Sequence, residues 1–181
     1  RTPLTMVKAY AEMIRDLSGD NPVKREEHLG IIIDESDRLS ALVNDILDLS
    51  RIESGNASLN ISEFDISEKL DNILQRYTLF KEQKGYNFIL IKDEPIIVRA
   101  DEIKIEQVIY NLINNAINYS GDGREITIKQ INSKKSVRIE ITDKGEGISP
   151  ELLPLIFDRY YRSEKSGRDI IGTGLGLAIV K

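Results

Sequence analysis

The sequence predicts an α+β chain: a helical hairpin of the kind that can form a dimeric four-helix bundle, followed by an α/β sandwich with a mixed sheet and helices on one face. Two observations carry that prediction. Over the first 55 residues apolar side chains recur at intervals of three and four, the period of a helix. Beyond Gly55 the period drops to two in short runs, and these alternate with helical ones, as when strands and helices share one sheet. The change of period divides the chain into residues 1–55 and 56–181.

In the first helix Leu4, Val7, Ala11 and Ile14 form one stripe, and Ser18-Gly19-Asp20-Asn21-Pro22 breaks it. Asn21 before Pro22 is a start signal: a side-chain cap, then a residue whose missing N–H costs nothing in the first turn. The second helix carries Leu29, Ile32, Ser36, Leu39, Val43 and Ile46, and Gly55 ends it. Ile33, Leu42 and Leu49 widen the stripe beyond a two-stranded seam. An isolated hairpin cannot bury two stripes this wide. Either two chains build a four-helix bundle, or the hairpin packs on the rest of its own chain; the pattern alone does not choose. After Gly55, strands are predicted at Leu59–Ile61, Asn87–Ile91, Ile96–Val98, Glu125–Ile131 and Ser136–Thr142. Helices are predicted at Ile66–Phe80, Asp101–Tyr119 and Pro150–Tyr161, with another opening at Gly174.

Composition narrows the classes. Apolar residues make up 40% and charged residues 30%, a globular balance, and no apolar run approaches the roughly 18 residues a bilayer span needs. Nothing at the N-terminus reads as a signal peptide, so membrane contact is not expected of this stretch. With no cysteine and a single histidine, His28, disulfides, thiolate metal sites and histidine clusters are excluded. A net charge of −5 argues against a nucleic-acid partner. The basic residues nevertheless crowd one stretch, Arg159, Arg162, Lys165 and Arg168.

Three segments break local rules in ways that suit chemistry. On the helix begun by Asp101, the residues Ile105, Val108, Ile109, Leu112, Ile113 and Ala116 form the apolar face. Asn111, Asn114, Asn115 and Asn118 fall together opposite it, although asparagine is a poor helix former. Neutral amide oxygens can hold Mg²⁺ while phosphate oxygens complete its shell; a solvated polar face is the plainer reading. The strand with Val137, Ile139 and Ile141 inward puts Asp143 on the same side, followed by Lys144-Gly145-Glu146-Gly147-Ile148. An inward carboxylate beside open backbone can accept from a purine amino group; a turn-forming aspartate is the alternative. Gly172-Thr173-Gly174-Leu175-Gly176-Leu177 then frees backbone N–H groups at a helix start, without Rossmann or P-loop spacing. Lys165 to Ile171 before it reads as a lid flanked by the basic cluster.

Taken in order, these segments resemble the sensor histidine kinases of two-component systems. "NLINNAINYS" (Asn111 to Ser120) resembles their N box, and "DKGEGIS" (Asp143 to Ser149) the first glycine box. "IFDRYYRS" (Ile156 to Ser163) is similar to the phenylalanine box and "GTGLGLAIVK" (Gly172 to Lys181) to the second glycine box. "RTPLT" (Arg1 to Thr5) resembles the tail of the phosphoacceptor motif, and "LSRIESG" (Leu49 to Gly55) the exit from the second bundle helix. The resemblance implies ATP and Mg²⁺ as ligands of a GHKL-type domain, homodimerisation through the hairpin, and phosphotransfer to a response regulator receiver domain. It also implies a cytoplasmic location within a membrane-anchored parent. Asn111 would ligate Mg²⁺ and Asn115 would bind the nucleotide; Tyr119 would lie by the adenine, Asp143 would accept its amino group, Gly145 and Gly147 would shape that pocket, and Ile148 would belong to the ATP-binding set. Gly172, Gly174 and Gly176, with Leu175 between them, would line the triphosphate, Thr173 and Leu177 would belong to the ATP-binding set, and Arg159 and Arg162 would stabilise the transferring phosphoryl group.

Two departures qualify the resemblance. The N box usually carries a lysine where Asn118 stands; Arg162 or Lys165 would have to compensate. The family's phosphoacceptor histidine would sit three positions before Arg1, so autophosphorylation is not expected of these residues, and the family normally continues past Lys181. Thr2 matches the position associated with dephosphorylating the response regulator, whereas His28 matches no motif position and is expected on the surface. Three other functions compete: a hydrolytic relative such as a gyrase-like ATPase, which would need a carboxylate base at Asn111; an anti-sigma type serine kinase, which lacks the hairpin; and a dimerisation and docking module without nucleotide.

Overall fold

The computed structural model describes residues 2–54, 58–161 and 174–180, in two compact units, Arg1–Asn56 and Ala57–Lys181. In the first unit helix α1 (Thr2–Met13) runs into a π-helical turn, Ile14–Ser18, and helix α2 (Pro22–Glu53) packs back along it. The predicted start signal operates: the Asn21 side chain accepts from the Lys24 N–H at 3.2 Å, and its carbonyl from the Arg25 N–H at 2.9 Å. The turn closes on Ser18, whose buried hydroxyl donates to the Met13 carbonyl at 3.1 Å and lies 3.0 Å from His28 Nδ1.

His28 therefore departs from the surface position expected of it. It is half-buried, its ring 5.2 Å from that of Tyr10, because the hairpin connection folds the start of α2 onto Ser18. The predicted apolar stripe of α2 also turns out differently. His28, Ile32, Glu35, Arg38 and Leu42 are half-buried, whereas Leu29, Ile33, Val43 and Ile46 remain 39–58% exposed. Among the described residues of this unit only Ser18 is buried, so the hairpin has no apolar core of its own.

The second unit builds its core from α3 (Ile66–Gln75), α5 (Glu102–Tyr119) and a sheet. Strands β2 (Asn87–Ile91), β4 (Glu125–Asn132) and β5 (Val137–Asp143) form the mixed sheet, β2 parallel and β5 antiparallel to central β4. β1 (Ile61–Asp65) and β3 (Ile97–Asp101) pair antiparallel as a separate ribbon. Ile66, Leu70 and Ile73 of α3, Ile109, Ile113 and Ala116 of α5, and Ile126 and Ile128 of β4 interlock with almost no exposure. The three- and four-residue spacing on each helix and the two-residue spacing on β4 make this packing possible.

Both long helices start on aspartate caps. Asp65 accepts from the Ser67 N–H at 2.8 Å, and Asp101 from Lys104 N–H at 3.0 Å. Asp101 also accepts from Asn60 N–H at 2.8 Å; these backbone donors, Asn60 first, hold its carboxyl below the usual range. α3 is strapped to α5 by ion pairs: Lys69 Nζ lies 2.6 Å from Glu102 and 3.0 Å from Glu106, and Arg76 lies 2.6 Å from Glu106.

Two predicted helices are altered. The span Ile66–Phe80 breaks at Arg76–Tyr77 into α3 and α4 (Thr78–Lys84), because the Tyr77 N–H turns tightly onto the Leu74 carbonyl and its ring becomes buried. Pro150–Tyr161 forms successive turns rather than a helix, with bonds such as Leu155 N–H to Leu152 carbonyl. Pro154 lies in the middle of that stretch and has no N–H to give a helical ladder. A short helix, α6 (Gly176–Val180), buries Ile179.

Candidate functional site

The asparagines of α5 separate into two groups. Asn114 turns toward the core and accepts from the Tyr77 hydroxyl at 3.1 Å. Burial, and then the neighbouring Tyr110, push the Tyr77 phenol pKa far up, so this group remains a neutral donor. Asn111, Asn115 and Asn118 keep to the other side, all half-buried. Asn111 Nδ2 is buried without a hydrogen-bond partner among the described residues. Gly176 stands opposite it: a Cβ there would lie 3.6 Å from both Cγ and Oδ1 of Asn111.

The C-terminal end of α5 meets the loop after β5. Asp143 ends that strand half-buried, as its parity with Ile139 and Ile141 predicts, and pairs across to Ile126. Its Oδ1 accepts from the Gly145 N–H at 2.8 Å, leaving Oδ2 without a protein partner among the described residues. Gly145 is required by space: a Cβ there would sit 2.0 Å from the Tyr119 carbonyl oxygen. Gly147 is required by conformation, at φ +76° with nothing around it. Tyr119 and Ile148 are 38% and 47% exposed.

The stretch before α6 completes the constellation. Gly174 has φ +72°, Leu175 is fully buried, and Leu177 is half-buried. Arg159 is exposed in the turns preceding Tyr160, whose N–H donates to the Gly174 carbonyl at 2.9 Å. Of the residues singled out by sequence, Arg162, Lys165, Gly172 and Thr173 lie outside the described residues, as does the side chain of Thr2. The backbone contact through Tyr160 has no sequence signal, since a tyrosine in a basic run gives no hint of a left-handed φ of +60°.

Chemically, the arrangement offers an amide nitrogen buried without a partner, a half-buried carboxylate with one oxygen unpartnered among the described residues, and a glycine beside each, Gly176 in ordinary contact and Gly145 in close approach. An asparagine side chain rotated by a half-turn exchanges carbonyl for NH₂, so Asn111 can face either a cation or a phosphate oxygen. That orphaned position suits a group supplied from outside the protein.

Residues 1–55 match the family model described as His Kinase A (phospho-acceptor) domain, and residues 100–181 match that of histidine kinase-, DNA gyrase B- and HSP90-like ATPases. The sensor histidine kinase WalK of Bacillus subtilis is 34% identical over the whole chain, which spans 30% of that relative's length. A solved structure of the histidine kinase AdeS of Acinetobacter baumannii superposes with a TM-score of 0.77 at 29% identity, covering 99% of this chain and 82% of that one. The histidine kinase ThkA, solved in complex with the response regulator protein TrrA, matches with a TM-score of 0.72 at 25% identity, covering 90% of this chain and 47% of that one.

Proposed function

The chain belongs to the two-component sensor histidine kinases, and we propose that it works as their kinase core: a dimerising hairpin joined to a domain that binds Mg²⁺-ATP and presents its γ-phosphoryl group for transfer to histidine. The observation that carries this reading is the orphaned amide of Asn111 beside Gly176. It is polar, buried and unpartnered, at the place where the asparagine face meets the glycine-rich segment.

In this reading Asp143 accepts from the adenine amino group through its free oxygen, with Gly145, Gly147, Ile148 and Tyr119 walling that end. Asn111 and Asn115 hold the phosphate end, Asn111 as ligand of Mg²⁺, whose charge offsets that of the β- and γ-phosphate oxygens. Gly172, Thr173, Gly174, Leu175, Gly176 and Leu177 line the triphosphate, and Arg159 and Arg162 balance charge on the group in transit. The position of Asn111 favours transfer over hydrolysis, because an amide cannot take a proton from water as a carboxylate base does. The exposed apolar face of α2 is the dimer contact, and a receiver domain of a response regulator is the downstream partner, as the ThkA relative's complex suggests. Thr2 takes part in dephosphorylating that partner, and the parent protein is a membrane-anchored sensor with this part in the cytosol.

The test is a titration of the chain with Mg²⁺ and a fluorescent ADP analogue, beside an Asp143→Asn variant. Saturable binding that the variant loses is the expected result. Equal binding by both proteins would remove Asp143 from the pocket, and no binding by either would overturn the nucleotide reading.

A further inference from the structure

Tyr160 and Gly174 meet across thirteen intervening residues in a way neither segment explains alone. The Tyr160 N–H donates to the Gly174 carbonyl at 2.9 Å, and both residues are left-handed, at φ +60° and +72°. Their backbones touch: a Cβ at Gly174 would stand 3.0 Å from Tyr160 Cα and 3.1 Å from its carbonyl carbon. Glycine tolerates such a φ freely, but a residue with a Cβ is disfavoured there by about tenfold in population. Tyr160 is 61% exposed, so burial of the residue does not offset that cost. Beyond Gly174 the chain passes directly to buried Leu175 and then to Gly176, against Asn111.

We propose that Tyr160 is a positioning residue for nucleotide binding: its left-handed backbone aims its N–H at the Gly174 carbonyl, and this clamp holds Gly176, one residue past buried Leu175, against Asn111. The inference rests on the nucleotide reading of Asn111 and the glycine-rich segment. Strain of this kind persists only where the surroundings over-determine it, and it concentrates at binding sites. Because the contact is made by backbone, the conformation at position 160 matters and the ring does not. Affinity then follows the fraction of molecules in which the clamp is formed.

Three variants of the full chain separate these contributions: Tyr160→Gly and Tyr160→Asn, both at ease with positive φ, and Tyr160→Val, whose branched Cβ resists it. The dissociation constant for the fluorescent ADP analogue with Mg²⁺ is measured for each, with the thermal midpoint without nucleotide and hydrogen exchange at the residue-160 amide. Gly and Asn are expected to bind at least as tightly as the parent chain, and Val, whose branched Cβ adds to the cost that Tyr already carries, several-fold more weakly with a fast-exchanging amide and an unchanged midpoint. Recovery by Asn, which shares no aromatic ring with Tyr, is the distinguishing result. If Val binds like the parent, or Gly and Asn weaken with Val, the clamp is overturned while the nucleotide reading stands. A lowered midpoint with unchanged affinity in Val would reduce Tyr160 to a structural part. If the parent chain itself does not bind, the nucleotide reading fails and takes this proposal with it.

Discussion

At Gly145 the space is smaller than a methyl group, since a Cβ would come within 2.0 Å of the Tyr119 carbonyl oxygen. Neither partner can yield easily: one is the end of α5, the other the exit of β5 held by the Asp143 bond. Gly145→Ala is therefore expected to push the loop off α5, destabilising the chain by about 1–3 kcal/mol and weakening nucleotide binding at least tenfold. Gly147→Ala is the control, because that site is open and only the left-handed φ opposes a side chain, about 1–2 kcal/mol. Urea midpoints and analogue titrations of the two variants would rank them; Gly145→Ala behaving like Gly147→Ala would mean that the close approach is not maintained in solution. The sequence pointed to both glycines but not to their different reasons. It grouped four asparagines by helical angle alone, and the structure removes Asn114 from that group because a buried tyrosine hydroxyl claims its oxygen. A contact that depends on a residue 37 positions away leaves no mark on local periodicity.

Among the elements, the β2 and β4 alternation and the α5 stripe were plain, since each buries a regular face on one core. The predicted helix at 66–80 hid a break because Tyr77 fits the helical pattern yet is turned inward by a tight turn. The stretch 150–161 read as helical although Pro154 interrupts its ladder. The clasp between α3 and α5 carries its own test. Lys69 first, then Arg76, hold the Glu106 carboxyl below the ordinary carboxylate range, and Glu102 first, then Glu106, raise the Lys69 amine. A lowered carboxylate contributes stability that is present above its unfolded pKa and is lost as pH falls through the folded value. A raised amine contributes below its unfolded pKa and is lost only in strong alkali. Between neutral pH and the acid range the Glu106 contribution is thus the one that changes. Glu106→Gln is expected to lower the urea midpoint at pH 7, and the gap to the parent chain is expected to close as the pH is taken below the Glu106 titration. A gap of constant size down to acid pH would show that the glutamate acts through packing rather than charge.

The chain contains one unit with a dense core and one that, among its described residues, has almost none. The width of the α2 stripe announced that imbalance in the sequence, but not which residues α1 would cover. The structure answers this: Ile32 and Leu42 are half-buried, whereas Ile33, Val43 and Ile46 remain between 46% and 58% exposed. Burying a large aliphatic side chain in full is worth about 1.5–3 kcal/mol, and these side chains have about half of that still to gain, so covering them on both chains of a pair is a favourable contribution set against the cost of association. A symmetric pairing places each substituted residue in the interface twice. Val43→Asp therefore brings two unpaired carboxylates into an apolar seam, where desolvation of each costs far more than the lost methyl groups. Sedimentation at micromolar concentration is expected to show a dimer for the parent chain and a monomer for Val43→Asp. Nucleotide affinity should be unchanged in the variant, because the residues proposed to hold the nucleotide all belong to the second unit. A parent chain that sediments as a monomer would leave the exposed face of α2 without a self-partner. A Val43→Asp variant that remains dimeric would place the seam on another face of the hairpin, with Leu4 and Leu17, 64% and 84% exposed, as the next residues to substitute.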